Sequence, residues 1–129
     1  ESAATEHAAR RRTEADLAAI RARLEEMQAA IERGDPGVDE DVAFHRAIIE
    51  ATGNPYFRDF SNFLDSKVRN FIRTARQNSA RFEGLTQAVQ GEHVLIYRAI
   101  EQGDPVAARA AAEQHVFNAA KRLQLYLER

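Results

Sequence analysis

Apolar residues recur along this chain at intervals of three and four positions, the spacing that places them on one face of an α-helix. The clearest stripe begins after Thr13, a favoured helix N-cap residue that acidic residues follow in the first turn. Its members are Leu17, Ile20, Leu24, Met27 and Ile31. No segment shows the alternation of β-branched and polar residues that is typical of a strand. The pattern therefore predicts an all-α fold, an antiparallel bundle of about six helices joined by short loops.

Glycine, proline and short polar segments divide the chain into the predicted helices. These cover residues 1–12, 13–33, 38–52, a long helix from 54 to about 78, a fifth ending at 102, and a sixth running from 104 nearly to the C-terminus. The fourth helix has an apolar side, which is consistent with either a place in the core or a dimer interface. Its members are Phe60, Leu64, Val68, Phe71, Ile72 and Ala75.

Composition narrows the class of protein. The 129 residues suffice for one domain with a single hydrophobic core, so residues 1–129 are predicted to form one unit. The absence of cysteine excludes disulfides, thiolate metal sites and cysteine nucleophiles, and it fits a reducing, cytoplasmic environment. A formal charge of −2 argues against a nucleic-acid-binding surface. No apolar run is long enough to span a membrane, and no signal peptide is visible at the N-terminus, so no membrane association is expected.

Three of the four histidines lie on or beside apolar helix stripes, together with one carboxylate. Asp41 and His45 are four residues apart and therefore share a helix face. His93 lies ten residues before Gly103 and His115 ten residues after the proline that opens the next helix, so an antiparallel hairpin places the two at one height. A divalent cation would satisfy the Asp and the three imidazoles together. A buried Asp–His hydrogen-bonded network is the alternative.

Other polar residues are candidates for binding a small molecule. Arg69, Arg73, Asn62 and Ser66 form a polar stripe on the long fourth helix, for which a solvated face and a carboxylate clamp are both open. Two further side chains could reach a ligand near the histidines. They are Asn118, three residues after His115, and Tyr97, one turn after His93. His7 lies among exposed-looking residues and is assigned no role.

The segments "DVAFH", "ATGNP", "GEH" and "IEQGDPVAARAAAEQH" occur in the order and spacing of a known family. The chain resembles the C-terminal ligand-sensing FCD domain of FadR-subfamily GntR-type transcription regulators, over nearly its whole length. In the metal-binding branch of that family, the residues matching Asp41, His45, His93 and His115 hold a divalent ion. Zinc is the expected ion, with nickel or manganese as alternatives, because all three suit imidazole-rich sites with a carboxylate. The resemblance disfavours a fatty-acyl-CoA ligand, since the branch that binds it lacks these residues.

The same resemblance also implies which partners the protein binds. It implies a homodimer whose DNA contacts are made by an N-terminal winged helix-turn-helix domain, which is not found in residues 1–129. The equivalent of the fourth helix lines the family's cavity, which favours the carboxylate clamp, with Arg69 ahead of Arg73.

These observations predict a sensor that is not an enzyme. A small carboxylate or hydroxy-acid effector would bind at the ion and allosterically control DNA binding by the intact regulator. A metal-dependent hydrolase is one alternative, because histidine–carboxylate metal sites with an open position also activate water. No additional Asp or Glu is placed as a general base, however, since Glu92 points about 100° away from His93 on an ideal helix. A structural metal or polar network without a ligand is the other alternative.

Overall fold

The computed structural model describes residues 1–127, and within that range it contains six α-helices and no strand. The all-α prediction is confirmed, and every predicted break lies within a few residues of an observed one. The helices are α1 (Ser2–Arg11), α2 (Glu14–Glu32), α3 (Val38–Ala51), α4 (Pro55–Ser79), α5 (Leu85–Glu101) and α6 (Pro105–Leu127). None of the helices of the described range is long and apolar enough to cross a membrane.

Local sequence signals account for where two of the helices begin. Thr13 caps α2 in a capping box: its side chain accepts a hydrogen bond from the Asp16 backbone N–H, and the Asp16 carboxylate accepts one from the Thr13 N–H. Gly37 caps α3 in the left-handed region, at φ 78°, where glycine carries little penalty. A Cβ at Gly37 would lie 3.4 Å from Nη1 of Arg76, an ordinary van der Waals contact, so the backbone conformation rather than space favours glycine here.

The core is built mainly from α1, α2, α3 and α5, and α6 packs against α1 and α5. The predicted stripe of α2 is buried at four positions, and Ile31 is half-buried. Ala4, Ala8 and Ala9 of α1 are almost fully buried, which lets its backbone approach its neighbours closely. The largest fully buried apolar side chains are Phe44, Ile20, Met27, Ile96 and Ile100. On one side of this core, polar side chains from α3, α5 and α6 come together.

Helix α4 is attached differently from the other five. Of its predicted apolar side, Ile72 alone is buried, whereas Phe60 is 64% exposed. The side chains of Tyr56 and Phe63 are 82% and 83% exposed. The ion pairs that join its exposed side to α3 are Arg46–Asp65, Arg69–Asp39 and Arg58–Glu50. Exposed ion pairs contribute little to stability, so α4 is held chiefly by its C-terminal half.

Candidate metal centre and ligand cavity

Three imidazoles converge at the centre of the bundle. His45 of α3, His93 of α5 and His115 of α6 each offer one nitrogen, and these nitrogens all lie within 4.8 Å of one another. The ring centroids of His93 and His115 are 4.6 Å apart, as expected for residues at one height in the α5–α6 hairpin. His45 lies 5.4 Å from His93 and 5.8 Å from His115, measured between ring centroids. The three rings could therefore contribute ligands to one ion.

Asp41 supplies a carboxylate to the same place. Its Oδ1 atom lies 3.0 Å from Nε2 of His45 and 3.6 Å from Nε2 of His93. Its Oδ2 atom accepts a 2.8 Å hydrogen bond from Nε of Arg76, and both side chains are about 5% exposed. One oxygen of Asp41 thus faces an arginine, while the other faces the histidines.

Several polar atoms of this cluster have no hydrogen-bond partner in the described part of the chain. They are both ring nitrogens of His93, whose side chain is fully buried, and Oδ1 of Asp41, whose 3.0 Å contact with Nε2 of His45 lacks hydrogen-bond geometry. Each unsatisfied buried group costs about 1–3 kcal/mol. Ligand atoms around a tetrahedral ion at the usual Zn–N and Zn–O distances lie about 3.3 Å apart, between the two separations measured from Asp41 Oδ1. The four side chains therefore fit a divalent ion, which would satisfy Asp41 Oδ1 and one nitrogen of His93.

Burial and neighbouring charges shift the pKa values of the ionisable groups of the cluster in different directions. Burial lowers the pKa of His93 to about 3, against the attraction of Asp41, so this imidazole is neutral and able to bind a metal at pH 7. Burial also opposes the charge on His45, but Glu1 and Asp41 outweigh it and raise its pKa to about 10. Burial alone would raise the pKa of Asp41, but His93, His45 and Arg76 bring it below the usual range. A metal would therefore replace a proton on His45.

Carboxylates also contact the Nδ1 atoms of two of the histidines. Oε1 of Glu1 lies 2.6 Å from Nδ1 of His45, and Oε1 of Glu92 lies 2.7 Å from Nδ1 of His115. The His45 charge lowers the pKa of Glu1 to about 2. Burial raises the pKa of Glu92, but hydrogen bonds from His115, Arg122 and Asn118 outweigh it and lower the value to about 2. Both carboxylates are therefore ionised at neutral pH.

A cavity of about 260 Å³ opens beside the cluster. Asp41, His45 and His115 reach its wall, and α4 and α6 supply apolar side chains. Three cationic residues also line it, namely Lys67, Arg76 and Arg122. A second cavity of about 380 Å³, between α1, α3 and α4, shares Glu1, His45, Leu64 and Val68 with the first. Helix α4 is thus a wall of both cavities.

None of the six predicted effector-binding residues, all within the described range, lines the first cavity. Arg69 donates a 2.6 Å hydrogen bond to Asp39, and Arg73 donates one to Asn70. The hydroxyl of Tyr97 donates to Glu101. The remaining three lie on α4 and α6: Asn62 and Ser66 are exposed, whereas Asn118 is half-buried and donates to Glu92. Asn118 alone of the six contacts the histidine cluster through a partner, and the set stays a prediction.

Several residues of the site were missed by reasoning from sequence, and Arg76 and Glu92 show why. Arg76 lies one turn after Ile72 on the apolar side of α4, and a charged residue in that position was a signal for a buried partner. Glu92 does point away from His93, as the helix geometry requires, but that direction faces α6 and brings it to His115. Neither pairing is visible from spacing within a single helix.

An all-helical bundle that encloses a cavity beside a histidine–carboxylate cluster has the architecture of a ligand-binding domain. Residues 1–118 match the model of the FCD domain, so this chain belongs to the FCD domain family. The resemblance to the FCD domain of GntR-type transcription regulators is thereby confirmed.

Two relatives with named functions are also transcription regulators. The HTH-type transcriptional regulator LutR of Bacillus subtilis (strain 168) is 33% identical over 122 residues, which are 94% of this chain and 56% of that protein. The galactonate operon transcriptional repressor of Escherichia coli (strain K12) is 31% identical over 125 residues, 96% of this chain and 53% of that protein. The chain spans about half the length of these relatives. It is an effector-sensing regulatory domain and not an enzyme.

Proposed function

We propose that this domain senses a small carboxylate or hydroxy acid through a divalent ion held by Asp41, His45, His93 and His115. The observation that carries the proposal is the group of three histidine nitrogens within 4.8 Å, beside a carboxylate oxygen that lacks a hydrogen bond and a cavity with cationic walls. On this reading the chain belongs to the metal-binding branch of the FadR subfamily.

The proposed ion is zinc, with nickel or manganese as alternatives, because three imidazoles and one carboxylate suit all three. When bound, the ion would supply a Lewis-acidic anchor for a carboxylate or hydroxyl oxygen. The chain's own residues orient the ligands: Arg76 fixes Asp41 through its Oδ2 atom, which leaves Oδ1 facing the histidines. Glu92 is engaged by three side chains of α6, so it is not free to act as the general base of a hydrolase.

The cavity indicates the class of effector. Its volume of about 260 Å³ is below the roughly 300–1,000 Å³ of pockets for drug-sized ligands, which suits a small metabolite. Lys67 lines it and has no ion pair within the described residues, so its ammonium group can offset an effector carboxylate. We place the carboxylate contact at Lys67 rather than Arg69, whose guanidinium is paired with Asp39. A repressor named for a galactonate operon, and hence for a hydroxy acid, is among the relatives.

In the intact regulator, we propose that the effector alters the position of α4 or α6 and thereby the spacing of two winged-helix domains on DNA. The matches cover 56% and 53% of the two relatives, which leaves room for such an N-terminal domain. A transcription regulator of this kind acts in the cytoplasm, where the DNA is.

The proposal is tested by a thermal screen of organic acids on zinc-loaded and chelated protein. A hydroxy acid that binds through the ion should stabilise the zinc-loaded domain alone. At a hundred times its dissociation constant, it would add about 2.7 kcal/mol to the free energy of unfolding, a shift of several degrees in melting temperature. Elemental analysis of the parent, purified without chelator, should find about one divalent ion per chain.

Two variants sharpen this screen. Lys67→Ala should weaken the response to the acid while leaving the zinc content unchanged, because Lys67 lines the cavity but is not among the proposed ligands. Thr74→Ala, at an exposed position of the same helix that lines neither cavity, should leave both unchanged. Equal stabilisation of zinc-loaded and chelated protein by every active acid would show that the effector does not bind through the ion.

We further propose that the domain forms a homodimer, and that the exposed apolar side chains of α4 take part in it. Phe63, at 83% exposed, lines neither cavity and is therefore a suitable probe. Light scattering of the parent should give twice the 14.5 kDa chain mass, and Phe63→Arg should shift it towards the monomer. Thr74→Arg places the same charge on the same helix and serves as the control. A parent that remains monomeric at high concentration would contradict the proposal.

A further inference from the structure

Glu92 is not among the four proposed metal ligands, yet four hydrogen bonds from one face of α6 fix its carboxylate. Nδ1 of His115 lies 2.7 Å from Oε1, and Nδ2 of Asn118 donates to Oε2 at 2.9 Å. Arg122 donates to both oxygens, each at 2.9 Å, and so forms a bidentate ion pair with Glu92. His115, Asn118 and Arg122 are three and four residues apart, so they share one side of α6. The carboxylate is therefore held in both position and orientation.

This arrangement determines which nitrogen of His115 carries the proton. A carboxylate paired with arginine is ionised and only accepts hydrogen bonds, so Nδ1 of His115 must be the protonated nitrogen that donates. In a neutral imidazole the other nitrogen, Nε2, then carries the lone pair. A metal binds only a nitrogen with a free lone pair. Glu92 thus leaves Nε2 of His115 as the nitrogen available to an ion.

We propose that Glu92 is a positioning residue of the metal centre, which holds His115 in the Nδ1–H tautomer so that Nε2 can bind the ion. The proposal rests on the proposed function, because it assumes that the histidine cluster binds a metal. His45 shows the same arrangement, since its Nδ1 faces Oε1 of Glu1 and its Nε2 faces Asp41. Carboxylates in this position orient metal-binding histidines in many proteins, and their loss lowers metal affinity by about 10–100-fold.

A different result is expected if Glu92 serves only to connect α5 to α6. Removing Glu92 would then lower the stability of the domain but would leave the tautomer of His115 unchanged. His115 has its ring 4.6 Å from that of His93, measured between centroids, and it lines the cavity. No second hydrogen-bond partner of its Nδ1 is seen in the described part of the chain. The tautomer is therefore a readout that separates positioning from simple packing.

The experiment uses metal-free protein with ¹⁵N-labelled histidine. Long-range ¹H–¹⁵N correlation should show His115 of the parent as the Nδ1–H tautomer. In Glu92→Ala the Nε2–H tautomer should become populated, and zinc affinity measured by chelator competition should fall about 10–100-fold. Glu92→Gln, whose amide oxygen can still accept from Nδ1, should retain more of both properties than Glu92→Ala.

Glu113→Ala is the matched control, because Glu113 is an exposed carboxylate of α6 that pairs with Arg109 and not with His115. It should change neither the tautomer nor the affinity. An Nε2–H tautomer in the parent, or a tautomer that Glu92→Ala leaves unchanged, would overturn the proposal. If the parent binds no zinc, the proposed function fails, while the tautomer of the metal-free protein still decides whether Glu92 positions His115.

Discussion

Replacing Arg76 with alanine should lower the free energy of unfolding of the metal-free domain by about 3–5 kcal/mol. Arg76 donates to Asp41, and both side chains are about 5% exposed, so the substitution removes one of the two cations, with His45, that offset a buried carboxylate. The Arg76 guanidinium also donates to the Pro36 carbonyl and lies against the Met27 sulfur, and these contacts would be lost too. Urea denaturation of chelated protein measures the change.

Zinc should reduce the stability loss of the Arg76→Ala variant. If the ion binds Asp41, it offsets the charge that Arg76 no longer neutralises, so saturating zinc should restore part of the lost stability. Arg73→Ala is the control: Arg73 is exposed, lies one turn earlier on the same helix, and should change stability by less than about 0.5 kcal/mol. Similar losses in the two variants would show that the Asp41–Arg76 pair is not the source of the effect.

Replacing His93 with leucine should have opposite effects on stability and on metal binding. Both ring nitrogens of His93 are buried without a hydrogen-bond partner in the described residues, so an apolar side chain removes an unfavourable burial. The metal-free variant should gain about 1–3 kcal/mol in free energy of unfolding. Its zinc affinity should fall by more than the roughly 100-fold that loss of an outer contact can cost, because a ligand itself is missing.

The measurements are urea denaturation of the chelated protein and zinc competition with a chromophoric chelator. His7→Leu is the control, because His7 lies on α1 against Phe57 and away from the cluster. It should leave zinc affinity unchanged. A His93→Leu variant that binds zinc as tightly as the parent would remove His93 from the ligand set.

The helices could be predicted from sequence because their ends are marked by local chemistry. Glycine and proline stand at the turns after α2, α3 and α5, and Thr13 carries the N-cap of α2. The packing of α4 could not be predicted, because an apolar stripe shows which side is hydrophobic and not what covers it. Phe60 and Phe71 belong to that stripe, yet they are 64% and 44% exposed. Burial is a property of neighbouring helices, which spacing within one helix does not contain.

The convergence of the histidines was predictable for a related reason. Asp41 and His45 are neighbours within one helix, and His93 and His115 are equidistant from one short turn, so both pairs follow from local geometry. The partners of these residues were not predictable in this way. Arg76 reaches Asp41 from another helix, and Glu92 reaches His115 only because α5 turns that face towards α6. Such contacts depend on how each helix is rotated about its axis in the assembled bundle.

The order of the helices has a consequence for synthesis of the protein. The metal-facing residues come from α3, α5 and α6, and α6 also packs along α1, so the first and last helices are neighbours. A ribosome that has completed α3 has made Asp41 and His45 but not His115. The complete set of side chains exists only after α6 has been translated and has docked against α1 and α5. If the centre binds an ion as proposed, its full set of ligands becomes available only at this late stage of folding.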